Sequence, residues 1–148
     1  MSHLHLIQKP SRIISTEEKL YTENSILISS FIGGPLVACY LLSKNFEAFG
    51  QKNWADKAFT IGVFGTLILF GFLLFVPEDI LSKINFFIPL SYTVVIFAFF
   101  RIYQQKNIVI SLNNHWEKHS IWKVIGLSVL SLTLTFLFFW LCTFCFFE

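Results

Sequence analysis

The sequence predicts an all-α fold: a polytopic membrane protein with four transmembrane helices in one bundle. Three observations predict it. Runs 25–43, 58–77, 84–100 and 124–147 contain no Asp, Glu, Lys, Arg or His, and each is close to the roughly 20 residues that a helix needs to cross a bilayer core. Hydrophobic residues make up 55% of the chain, with 19 Phe and a mean hydropathy of +0.65, on the membrane side of globular composition. Every Asp, Glu, Lys, Arg and His lies between the runs or outside them. Backbone polar groups in hydrocarbon must bond within their own segment, so helices are expected for the runs.

Residues 1–24 form a polar amino-terminal tail, expected to be disordered or to lie on the surface, and 25–148 form the transmembrane domain. A cleaved secretory signal needs a basic stretch leading directly into an apolar core. Here Glu17, Glu18 and Glu23 intervene, so the first span is expected to be retained. Leu36-Val37-Ala38-Cys39 is similar to a lipoprotein cleavage box, but the apolar run continues through Tyr40-Leu41-Leu42 and Pro35 sits inside it, which argues against lipidation.

The connections give the first topology. Loop 44–57 carries Lys44, Lys52 and Lys57, and loop 101–123 carries Arg101, Lys106, Lys118 and Lys123. If four spans alternate, those seven basic residues oppose Lys9, Arg12, Lys19 and Lys83. The positive-inside rule then puts both loops in the cytoplasm and both termini outside. Trp54, Trp116 and Trp122 lie near span ends, where indoles favour the headgroup level. A charge of +2 spread over the connections suits headgroups and offers no patch for nucleic acid.

Within the first run, Ser30, Gly34 and Ala38 share one face at about 100° per residue and form a small-xxx-small pattern that admits a neighbouring backbone. Gly33-Gly34-Pro35 predicts a kink, because Pro35 has no amide hydrogen for the Phe31 carbonyl. Gly62, Gly65 and Thr66 cluster on the second run, continued by Leu69 and Leu73, as a face for the first. Asn85, Pro89, Tyr92 and, one turn beyond its end, Tyr103 form a stripe on the third. On the fourth, Ser128, Ser131, Thr135 and Cys142 are expected to face the bundle, opposite a lipid-facing stripe of Val129, Phe136, Trp140 and Phe144. Such weakly polar faces serve interhelical packing, each hydrogen bond contributing about 0.6 to 2 kcal/mol.

Two constellations carry possible chemistry. Cys142 and Cys145 make a C-x-x-C, but quinone-coupled thiol oxidation needs a second pair, and only Cys39 remains. His115 and His119 stand at i and i+4, a spacing that holds a metal from one helical face, yet Trp116 occupies the place where zinc proteases have Glu and no third ligand is adjacent. Segment 108–119 suggests an interfacial helix through Ile108, Leu112 and Trp116, interrupted by the turn-favouring Asn113-Asn114. No phosphate-binding glycine loop, catalytic triad or facing carboxylate pair can be assembled, so no catalytic residue, cofactor or metal is assigned.

Residues 31–50, with Gly33-Gly34-Pro35-Leu36, Tyr40-Leu41-Leu42 and Asn45-Phe46 before Gly50, resemble the opening motif of a family of small four-span bacterial inner-membrane proteins. Tyr103-Gln104 and Ser120-Ile121-Trp122-Lys123 look like its later landmarks. The resemblance implies the bacterial inner membrane and four spans, and it adds no reaction. Gly50 suits a left-handed helix cap. Asn45 and Phe46 have two readings, packing at the end of the first helix or an exposed docking site for a partner. The function expected is non-enzymatic: contact with other membrane proteins, or with itself, as an accessory, assembly or protective subunit in the lipid bilayer. A small oligomeric transporter or channel for a neutral or apolar substrate is the alternative, and a thiol redox enzyme the third.

Overall fold

A computed structural model describes residues 19–114 and 116–147 of the chain. These residues are almost wholly helical. In order they form β1 (Lys19–Leu20), α1 (Glu23–Ala48), α2 (Lys52–Leu73), α3 (Glu78–Ile84), α4 (Phe87–Tyr103), α5 (Gln105–Asn113), β2 (Glu117–Lys118) and α6 (Ile121–Phe147), with β1 and β2 paired in parallel. By length and apolar content α1, α2 and α6 each suffice to cross a membrane, and α3 with α4 is a fourth candidate if that pair, bent by 54°, is one span.

The kink expected in α1 is a full reversal. Gly34 has φ 80° and ψ −175°, a conformation that glycine adopts and L side chains rarely do. Pro35 follows it as the first residue of a new helical segment, where a missing amide hydrogen costs nothing. The outcome is visible at the two ends of α1. The Tyr21 amide nitrogen donates to Asn45 Oδ1 at 2.9 Å across a separation of 24 residues, whereas a straight helix would hold them about 36 Å apart. α1 is therefore a helical hairpin with arms 23–33 and 35–48 and its tip at Gly33-Gly34-Pro35. Each arm rises about 15 to 20 Å, roughly half to two thirds of a 30 Å hydrocarbon core.

This geometry corrects two expectations. The first run is not a rod from one face to the other, and residues 19–22 and loop 44–57 lie at the same end of the molecule. Ser30, Gly34 and Ala38 are all buried, but they do not share one helical face, because the break at Gly34 resets the phase between Ser30 on the first arm and Ala38 on the second.

The other helices stand around the hairpin. The first arm runs antiparallel to α4, with Glu23 beside Arg101 at 3.8 Å and Ser30 Oγ donating to Thr93 Oγ1 at 3.1 Å. The second arm runs antiparallel to α2, with Phe46 stacked near Trp54 at 6.1 Å and Tyr40 edge-on to Phe59 at 6.4 Å. Gly62 admits that approach, since a Cβ there would lie 2.5 Å from the Cys39 Cβ. α6 starts beside the tail, where the His119 amide donates to the Leu20 carbonyl at 3.0 Å. It passes the tip so closely that a Cβ on Gly33 would come within 2.7 Å of the Ser128 Cα. Leu20, Ile26, Leu41, Leu42, Phe46, Phe100 and Val124 are buried together, so the core lies at the end where the arms open.

Two further faces differ from expectation. Gly65 is exposed, and the buried stripe of α2 is Ala55, Ala58, Gly62 and Thr66. The third run breaks at Asn85 because Pro89 cannot donate to the carbonyl four residues back. Asn85 is exposed and Tyr92 and Pro89 are half-buried, while the buried stripe of α4 is Thr93, Ile96 and Phe100. A phase taken from Asn85 misplaces it, since Asn85 precedes α4. The α6 stripe follows the prediction: Ser128 and Ser131 are buried and Thr135 half-buried, with Val129, Phe136, Trp140 and Phe144 exposed.

Candidate functional site

Three places could carry function: the hairpin tip, the cleft beyond it and the polar clamp at its mouth. At the tip the helical ladder is interrupted, which leaves carbonyls of the first arm without their usual amide donors. Ser131 Oγ donates to the Gly33 carbonyl at 3.2 Å, so the α6 serine takes over one bond that the break removed. Gly33 and Gly34 are buried.

Beyond the tip the hairpin no longer fills the space between α2 and α6. A cleft of about 140 Å³ lies there, lined by Leu36, Val63, Thr66, Leu67, Leu134, Thr135, Phe138 and Phe139, and Phe70 and Phe139 meet with ring centroids 5.2 Å apart. Its two hydroxyls are already committed. Thr66 Oγ1 donates to the Gly62 carbonyl at 2.7 Å and Thr135 Oγ1 to the Ser131 carbonyl at 2.8 Å. The lining is thus effectively hydrocarbon.

The clamp closes the other end. Asn45 sits in the last turns of α1 with no solvent exposure. Its Oδ1 accepts from the Tyr21 amide, and its Nδ2 donates both to the Tyr21 carbonyl at 2.9 Å and to Gln104 Oε1 at 3.1 Å. Gln104 Nε2 donates in turn to the Leu42 carbonyl at 2.8 Å. One side-chain amide pairs with a backbone residue as a strand would. Phe46 is buried beside it, ringed by Trp54 and Phe99. The docking expectation for Asn45 and Phe46 is therefore corrected: both are internal, because the reversal of α1 brings the tail over them. α1 ends just beyond, at a glycine cap of the expected kind. Gly50 has φ 72°, its amide donates to Glu47 and that of Gln51 to Phe46.

The remaining candidates come apart. α5 ends at Asn113, and Glu117–Lys118 is extended, so His119 is not one helical turn beyond position 115. His115 lies outside the described residues. His119 instead stacks on Tyr21 with centroids 4.1 Å apart. Burial, then Lys123 and Lys19, push its pKa down, and burial pushes the Tyr21 phenol up. Among the described residues no three His, Cys, Asp or Glu side chains come together. Cys39 faces Gly62 on the second arm, whereas Cys142 lies about 16 Å along α6 from the Ser131 that touches the tip, far beyond disulfide reach. The Cys145 side chain lies outside the described residues.

Gln104, Tyr21 and Thr93 are the partners that residue patterns alone did not single out for a role. No protein-family model, curated protein or solved structure matches this chain.

Proposed function

We propose that this chain is an integral protein of the bacterial inner membrane in which α1 dips into the bilayer and returns, while α2, the α3–α4 pair and α6 cross it. The tail and both basic loops then share the cytoplasmic face and the carboxy-terminus is outside. Ten of the eleven Lys and Arg residues fall on one side of that arrangement, Lys83 alone on the other. The four-span alternative divides them seven to four, so the positive-inside rule favours the hairpin topology strongly. It also removes the need to translocate a charged tail.

Its function in this reading is contact with other membrane proteins, as an accessory, assembly or protective subunit. The observation that carries it is that the buried polar groups are satisfied internally while large apolar side chains are left exposed. Around the hairpin, every buried side-chain polar atom among the described residues has a hydrogen-bond partner. Past the tip, Phe72 of α2, Phe75 and Phe86 of the connections on either side of α3, Phe87 of α4, and Phe136 and Trp140 of α6 are exposed. Polar groups serve internal ties, and the exposed apolar side chains are left to contacts with protein or lipid. The test is native mass after extraction in a mild detergent or polymer disc, with identification of what co-purifies. A defined heteromeric complex supports the reading, and a clean monomer or homo-oligomer overturns it.

The apolar cleft favours one second reading, a small oligomeric transporter or channel for a neutral or apolar substrate. That reading predicts homo-oligomers and flux of an apolar probe across vesicles, lost when Thr66→Trp fills the cleft.

A further inference from the structure

We propose that the elbow between α4 and α5 binds the headgroup of an anionic phospholipid in the leaflet that holds the hairpin. The inference rests on the topology above and adds a ligand to it. An open groove there is lined by Arg101, Gln105, Lys106, Val109 and Ile110. Its two cations belong to different helices, Arg101 in the last turn of α4 and Lys106 in the first turn of α5, so the junction at Gln104 brings them to one side of a shallow, open surface.

Arg101 is held for this task. Its guanidinium lies over the Phe97 ring, 5.0 Å from the centroid, and Glu23 Oε1 is 3.8 Å from Nη2. The carboxylate lowers the net charge, yet at that distance it takes no close hydrogen bond from a group with five N–H donors. Donors therefore remain for a phosphate, which a guanidinium can grip with two parallel bonds, while Lys106 contributes a point charge. Gln105 adds a neutral donor. Ile108 is buried in the core and anchors α5, while Val109, Ile110 and Ile102 stay exposed. Apolar side chains beside two cations match the boundary between headgroup and acyl chain, a chemistry that a free anion does not use.

Phosphatidylglycerol and phosphatidylcholine binding to the full chain in polymer discs would be compared by native mass spectrometry. Both disc faces are open, so the result does not depend on which face is cytoplasmic, and failure here is distinguishable from failure of the topology. With about 1 kcal/mol for each basic residue near an anionic surface, a preference for phosphatidylglycerol of about tenfold or more is expected. Arg101→Gln with Lys106→Gln should abolish it, Arg101→Lys with Lys106→Arg should retain most of it, and Glu23→Gln should leave it intact or raise it. Lys83→Gln, at the far end, should change nothing. Equal binding of the two lipids by the native chain, a preference that survives the double Gln substitution, or full displacement by inorganic phosphate would overturn the proposal.

Discussion

Replacing Asn45 by Ala should open the mouth of the hairpin. The substitution removes three hydrogen bonds at once and orphans the Tyr21 amide, the Tyr21 carbonyl and Gln104 Oε1, in a place where Asn45 and Gln104 have no exposure. Interhelical bonds in membrane proteins contribute about 0.6 to 2 kcal/mol each, and a stranded buried partner costs about 1 to 3 kcal/mol. Water reaching Tyr21 recovers part of that, so the expected loss is about 2 to 6 kcal/mol. Unfolding by SDS in mixed micelles, followed by tryptophan fluorescence, measures it. Asn45→Asp sharpens the test because it keeps an acceptor for the Tyr21 amide and sets a carboxylate against two oxygens. It should be at least as destabilising as Ala at pH 8 and partly recover on acidification, when the protonated acid can donate. Ser82→Ala, on the exposed surface, is the control. An Asn45→Ala protein within about 0.5 kcal/mol of the native one, the range of a neutral surface change, would refute the clamp.

Other consequences separate packing from backbone geometry. Gly33→Ala pushes a methyl against the Ser128 backbone and should cost about 1 to 3 kcal/mol in the same assay through packing, whereas Gly34→Ala meets nothing within 4 Å and should cost about 1 to 3 kcal/mol through backbone strain alone, in a φ/ψ region essentially reserved for glycine. Gly62→Ala should destabilise through Cys39, while Gly65→Ala, with open space around it, should leave stability within about 0.5 kcal/mol. His119 has a folded pKa below its unfolded value. The unfolded chain therefore takes up the proton first as pH falls below about 6.5, and stability present above that pH is lost toward the folded pKa. Thermal unfolding should come at lower temperature at pH 5 than at pH 7.5, and His119→Gln should flatten that part of the profile.

The apolar runs and the α6 stripe were legible in the sequence because each is a local pattern: absence of charge over about 20 residues, or Ser and Thr returning at helical spacing. Gly33-Gly34-Pro35 was legible as a break but not as a reversal. Glycine followed by proline says that the helix is interrupted, and the angle depends on the φ and ψ that Gly34 takes once the arms pack. The clue that could have chosen is charge, since folding the first run back brings the connections that carry Lys44, Lys52, Lys57, Arg101, Lys106, Lys118 and Lys123 to the same end as Lys19. Asn45 stood out in the sequence with two readings, packing and docking, and nothing local decides between them, because its partners, Tyr21 and Gln104, are 24 and 59 residues away and no periodicity connects them. The α4 stripe was missed for a simpler reason, that Asn85 lies before the helix whose phase it was used to set.

The hairpin itself is tested most directly by sidedness. Single cysteines replacing Thr16, Gln51 and Ser82, placed in a chain whose Cys39, Cys142 and Cys145 are replaced by Ala, would be labelled with a membrane-impermeant maleimide in sealed vesicles of known orientation. The hairpin topology predicts that positions 16 and 51 react from the same side and position 82 from the other. Labelling of 16 and 51 from opposite sides would mean that α1 crosses the membrane, and would contradict the account.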